Sequence, residues 1–197
     1  MSDAPREVEI KFLVHAPATL VRLLHESGFH ERTPSTFESN TLYDTPEGDL
    51  RRTGEILRLR QYGERWLLTY KAKADEGGRH KSRVEQETEV TDGQRMHAIL
   101  TALGYLPAFR YEKYRAEYSD GQGEVVVDRT PIGHLAEIEG PPEWIDRTAA
   151  ALGVAPGDYI TASYAALFFR WKQRTGSLAM NMTFEECAQV AEIKPRP

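Results

Sequence analysis

A chain of 197 residues with 40% hydrophobic content is long enough for one globular domain with a real core. Its net charge of −5, with no lysine or arginine run clear of acids, argues against nucleic-acid partners. The one cysteine, Cys187, rules out an internal disulfide and a cysteine-based zinc cage, and the six histidines lack close metal-ligand spacing. Neither a signal peptide nor an apolar span of membrane length is read, so a cytoplasmic protein without a membrane partner is expected.

Residues 5–14 read as a first strand. Pro17 suits the first position of a helix whose face carries Leu20, Leu23, Leu24 and Ser27, with Gly28 ending it. Strand-like runs follow at 37–44, 56–62, 65–73 and 80–90, with turn signals at Gly63-Glu64 and Glu76-Gly77-Gly78. Thr91 or Asp92 can cap a helix along which Met96, Ile99, Leu100 and Leu103 follow helical spacing up to Gly104. Three more strands are placed at 107–119, 124–129 and 134–140, the first two separated by Asp120-Gly121. Ile145, Thr148, Ala149 and Leu152 repeat the helical pattern ahead of Gly153. Ser163 can cap a helix with the stripe Tyr164, Leu167, Phe168 and Trp171. These stripes read as core packing, not cofactor contacts. A domain over 1–175 and a tail over 176–197 are expected, the tail holding a short helix near 183–191 and a frayed Pro195-Arg196-Pro197. Eight mostly antiparallel strands with few helices predict an α+β fold, a closed eight-stranded barrel with helices packed outside.

The charges on those strands are arranged unusually. In an extended chain residues i and i+2 share a face. Glu7-Val8-Glu9-Ile10-Lys11 therefore puts two carboxylates and an amine on one side and apolar residues on the other. Arg58-Leu59-Arg60, Lys71-Ala72-Lys73, Glu85-Gln86-Glu87, Lys113-Tyr114-Arg115 and Glu137-Ile138-Glu139 repeat like charges two apart. A surface built for solubility mixes signs. Two like charges about 7 Å apart repel by roughly 2 kcal/mol at an effective dielectric of about 20. A half-open sheet with its charged face in water would tolerate this, but would not explain the segregation. Facing inward, the pairs need compensation from other strands or from a ligand. Polyphosphate with divalent cations is such a ligand: guanidinium and ammonium groups take phosphate oxygens, and carboxylates hold Mg²⁺ or Mn²⁺.

The ordered set E-x-E-x-K, R-x-R, K-x-K, E-x-E, K-x-R, a strand-end Asp and a final E-x-E resembles the CYTH superfamily, the triphosphate tunnel metalloenzymes. Leu42-Tyr43-Asp44-Thr45-Pro46 and Ile132-Gly133-His134-Leu135-Ala136-Glu137-Ile138-Glu139-Gly140 resemble family segments in the right order, and the likeness runs from Glu7 to about Trp171. The resemblance implies an eight-stranded antiparallel tunnel. It implies metal binding by Glu7, Glu9, Glu137 and Glu139, with Asp128 beside them. It gives Lys11, Arg58, Arg60, Lys71, Lys113 and Arg115 to the triphosphate, and Lys113, Glu85 and Glu87 to catalysis. Lys73 joins the phosphate set at the tunnel mouth, with a structural salt bridge as the alternative for it and for Arg83.

The implied activity is a Mg²⁺- or Mn²⁺-dependent enzyme acting on a small triphosphate such as ATP, tripolyphosphate or thiamine triphosphate, most simply by hydrolysis. The segment from Leu103 to Phe109 resembles the class IV adenylyl cyclase branch, so cyclisation of ATP stays open. A non-catalytic polyphosphate binder would need the cations but not the acid pairs. A homodimer is a further possibility.

Overall fold

The computed structural model describes residues 6–188. Eight strands, β1 (Arg6–Leu13), β2 (His30–Asp44), β3 (Ile56–Tyr62), β4 (Arg65–Lys71), β5 (Lys81–Val90), β6 (Leu106–Ser119), β7 (Glu124–Thr130) and β8 (Gly133–Glu139), close into a barrel in the order β1-β5-β4-β3-β2-β6-β7-β8. Every pairing is antiparallel. Among the described residues there are six α-helices: α1 (Pro17–Glu26), α2 (Asp49–Thr53), α3 (Gly93–Ala102), α4 (Pro142–Ala151), α5 (Tyr164–Thr175) and α6 (Phe184–Ala188). The expected closed α+β barrel is the fold observed.

Two elements differ most from the sequence reading. β2 starts at His30, seven residues before the expected 37, because register shifts between Glu31 and Thr36 let the ladder to β6 continue past Pro34. α2 has no apolar period to announce it. It is held instead by the Asp44 carboxylate, which accepts the Leu50 and Arg51 N–H groups at 2.8 and 3.1 Å, and by Gly48 and Gly54 at positive φ on either side. The end of the expected tail helix at 189–191 and the fraying expected at 195–197 lie outside the described residues.

Strand alternation sorts the side chains. Outward residues of β1, β6, β7 and β8, including Ile10, Ala116, Val125, Val127 and Ile138, pack with Leu20 and Leu24 of α1 and Trp144, Ile145 and Ala149 of α4. Pro17 starts α1, and Asp92 caps α3 by accepting the Arg95 N–H at 2.9 Å. This hydrophobic cluster therefore lies on the outside of the barrel, which leaves that stretch of the bore for charge.

α5 closes off a different side. Capped by Ser163, it buries Tyr164 and Phe168 against Phe109, Tyr111 and Leu135, with Ala179, Met182 and Cys187 of the tail in the same cluster. Backbone bonds seat the flanking segments: Ile160 pairs with Lys11 beyond the start of β5, and Met182 bonds to Arg110 and Glu112 where β7 does not reach.

Candidate active site: a charged tunnel

The barrel encloses a cavity of about 470 Å³ whose lining includes Glu7, Glu9, Lys11, Arg58, Arg60, Lys71, Glu85, Glu87, Lys113, Arg115, Glu137 and Glu139. Asp128 joins them as a fully buried partner of Lys113 and Arg115. These sequence-selected residues thus converge from β1, β3, β4, β5, β6, β7 and β8. Lys73 does not join them. β4 ends at Lys71, so Lys73 stands in the following loop, exposed, with its amine on Glu76 at 2.6 Å. Of the two alternatives for that residue, the structure shows the salt bridge. Arg83 does line the cavity and donates to Glu7 at 3.1 Å.

Opposite charges alternate around the wall. Glu7 accepts from Lys71 at 2.7 Å, and Glu9 from Lys11 and Lys81 at 2.7 and 2.6 Å. Glu87 accepts from Arg60 and Arg58 at 3.0 and 3.3 Å. Arg115 spans Asp128 at 2.7 Å and Glu137 at 2.6 Å, and Lys11 reaches Glu137 at 3.1 Å. Compensation across strands, required by the buried like charges, is thereby supplied. It is not complete at one spot. Glu9 faces Glu139 directly, and Glu139 faces Glu124, making a row of three carboxylates across β1, β8 and β7. Among the described residues no cation lies within ion-pair distance of Glu139.

The titration behaviour follows from these neighbours. Burial pushes the Glu7 carboxyl up, but Lys71, Arg83 and Lys81 hold it well below the usual range. Burial likewise opposes ionisation of Glu9 and Glu137, which Lys11 and Arg115 respectively lead in overcoming. Glu139 goes the other way. Its carboxyl reaches water at the tunnel mouth, yet its walled position and the charges of Glu7, Glu9 and Glu137 push it up to about 8. Glu85 is also raised, by burial and by Glu7 against the pull of Lys71.

Among the described residues no three carboxylate, histidine or cysteine side chains are gathered closely enough to hold a metal ion as they stand. Glu7, Glu9 and Glu137 are turned toward lysine and arginine instead. The donor chemistry nevertheless fits a hard divalent cation, because every candidate is a carboxylate oxygen and Glu139 bears unneutralised repulsion that such a cation would relieve.

Several residues of the site were missed from sequence, among them Lys81, whose amine holds Glu9. Glu38 of β2 is fully buried, 3.6 Å from both Lys113 and Arg60, and these cations keep it ionised against the cost of burial. It lies within the expected strand 37–44, on the parity of Asn40, but no second like charge drew notice. Tyr164, read as core, enters the cavity wall from α5.

The CYTH domain model matches residues 5–143. The chain belongs to the CYTH domain family. A Methanocaldococcus jannaschii protein whose name proposes it as an adenylate cyclase is 29% identical over 135 residues, covering 68% of this chain and 75% of that one. A Vibrio parahaemolyticus structure, described in the same terms, superposes with a TM-score of 0.74 at 20% identity, covering 85% of this chain and 99% of that one. A Hippeastrum structure, of a proposed adenylyl cyclase described as having a dominant triphosphatase activity, gives 0.62 at 21% identity over 83% and 95%.

Proposed function

We propose that this protein is a divalent-metal-dependent triphosphatase that binds its substrate in the tunnel and releases phosphate. The observation that carries the reading is the enclosure, in one cavity, of Lys11, Arg58, Arg60, Lys71, Lys113 and Arg115 together with the carboxylates Glu7, Glu9, Glu137 and Glu139. A binder without catalysis has no use for those acids, which repel a polyanion.

The cations hold the phosphate chain. Arg58 and Arg60 offer planar forks for its oxygens, and their present partner Glu87 shares them at the wall. Lys113 offers a point charge for density that builds up on the equatorial oxygens during in-line displacement. Water attacks the terminal phosphorus, forming one P–O bond as the bond to the bridging oxygen breaks. In this reading Glu85, with its raised carboxyl, takes the proton. A divalent cation held by Glu7, Glu9, Glu137 and Glu139 would supply neutralisation of phosphate charge.

The names of the relatives support a cyclase reading as well, in which a ribose 3′-hydroxyl attacks the α-phosphate. A base would then need a stacking surface. The aromatic rings of the cavity lining, Tyr111 and Tyr164, are stacked on each other at 5.7 Å, which favours hydrolysis. The Hippeastrum relative's described activity points the same way.

The test is phosphorus NMR of ATP, tripolyphosphate and thiamine triphosphate incubated with the protein and Mg²⁺ or Mn²⁺. Orthophosphate release is expected. Cyclic nucleotide with pyrophosphate would replace this reading with the cyclase, and three unchanged substrates would refute both.

A further inference from the structure

The family match ends at residue 143, yet the cavity wall does not. Ser163, Tyr164 and Ala165, at the start of α5, line it. Tyr164 is buried and does three things at once. Its hydroxyl donates to Asp128 Oδ2, the oxygen that also accepts from Lys113 Nζ at 3.1 Å and Arg115 at 2.7 Å. Its ring lies beneath the Lys113 ammonium, 4.5 Å from Nζ to the centroid, and 5.7 Å from the Lys11 Nζ. It also stacks on Tyr111, whose hydroxyl accepts from Arg58 at 3.3 Å.

A buried lysine on a flexible four-carbon stem has many rotamers and few reasons to choose one. Here its ammonium is enclosed from three elements: Glu38 on β2, Asp128 on β7 and the ring of Tyr164 on α5. Of these, the α5 contact touches both the lysine and the carboxylate that holds it. Packing alone explains the ring. It does not explain a hydroxyl aimed at the one oxygen that Lys113 and Arg115 share.

We propose that Tyr164 is a positioning residue for the phosphate-binding cations, fixing Lys113 and Arg115 through Asp128, so that α5 is a working wall of the tunnel rather than a stopper. The proposal rests on the triphosphate reading of the site. The ring sets where Lys113 sits, and the hydroxyl sets where Asp128 points. A displacement of about 1 Å at a group that meets the transition state costs up to a hundredfold in rate.

Two variants separate the roles. Tyr164→Phe keeps the ring and the stacking on Tyr111 while removing the bond to Asp128. Tyr164→Leu removes both. Steady-state turnover of tripolyphosphate, calorimetric binding of tripolyphosphate and thermal unfolding are measured for each. Tyr164→Phe is expected to lower kcat about tenfold with KM and Kd changed less than threefold. Tyr164→Leu is expected to lower kcat further and weaken binding at least tenfold. A merely structural tyrosine would lower the unfolding temperature and leave kcat of the folded protein at the wild-type value, and that result for Tyr164→Phe overturns the proposal. If the wild-type protein binds tripolyphosphate without hydrolysing it, the hydrolase reading fails alone. The Tyr164→Leu affinity then decides, with a tenfold loss supporting the positioning role and an unchanged Kd overturning it. A wild-type protein that neither binds nor hydrolyses tripolyphosphate overturns both.

Discussion

Lys113→Met removes the ammonium between Glu38 and Asp128 while keeping most of the side-chain volume. At an effective dielectric of about 20, the attractions at 3.1 and 3.6 Å are each roughly 5 kcal/mol before desolvation is counted. Desolvating a lysine and two carboxylates cancels much of that sum. What the variant leaves behind sets the net effect. Asp128 keeps Arg115 at 2.7 and 2.9 Å, and Glu38 keeps Arg60 at 3.6 Å with the Asn40 amide at 2.8 Å. Breaking a buried pair usually costs 3–5 kcal/mol, and two half-satisfied carboxylates place this case near the lower end, about 3 kcal/mol. For a chain of this length that corresponds to a fall of roughly 6–12 °C in unfolding temperature. Adding Glu38→Gln removes one of the stranded charges, so a double-mutant cycle read by urea unfolding is expected to give a coupling of about 1–2 kcal/mol. Wild-type stability in Lys113→Met, or a coupling indistinguishable from zero, would refute the account of a lysine held by paired carboxylates.

Kinetics should divide the cations: Lys113→Ala is expected to lower kcat strongly, and Arg58→Ala to raise KM at least as much as it lowers kcat. Equal losses in both parameters for both variants would show that the cations act as one undivided group. Because the folded Glu139 carboxyl is raised to about 8, its contribution to stability is present below its ordinary carboxylate range and lost as pH rises through about 8. In chelator, Glu139→Gln should therefore unfold at the wild-type temperature near pH 4 to 5 and above it near pH 9. Screening at the open mouth limits the gain to about 1 kcal/mol, and parallel curves would count against the raised value. Gly93 begins α3 beneath the Trp66 ring, where an added Cβ would lie 2.0 Å from a ring carbon. Gly93→Ala is thus expected to cost about 1–3 kcal/mol, in the range of overpacked cores, and an unfolding temperature within 2 °C of wild type would contradict that contact.

Most of the barrel was legible because period-two alternation is a local signal, and β1 and β3 to β8 announce themselves by it. Asp44, by contrast, holds α2 through side-chain caps that no periodicity reveals. The ordering of charges showed that the strands face a common interior, but not how they are compensated there. Lys81 and Arg83 precede Glu85 and Glu87 on the same face of β5 and neutralise Glu9 and Glu7 on the next strand. That arrangement depends on register, which is a property of the closed sheet. Glu38 was hidden for a related reason, being a single charge among polar neighbours. Tyr164 carried the ordinary mark of a core residue, and only the placement of α5 distinguishes it.

The backbone contacts of Ile160 and Met182 with the strands have a consequence for biosynthesis. Lys11 and the Arg110–Glu112 stretch wait for partners encoded roughly 150 and 70 residues downstream, so two lengths of ladder stay open while the chain emerges from the ribosome. Unpaired ladder edges recruit other chains. A product cut at the end of the family match would keep all eight strands, yet expose both edges permanently and be expected to self-associate.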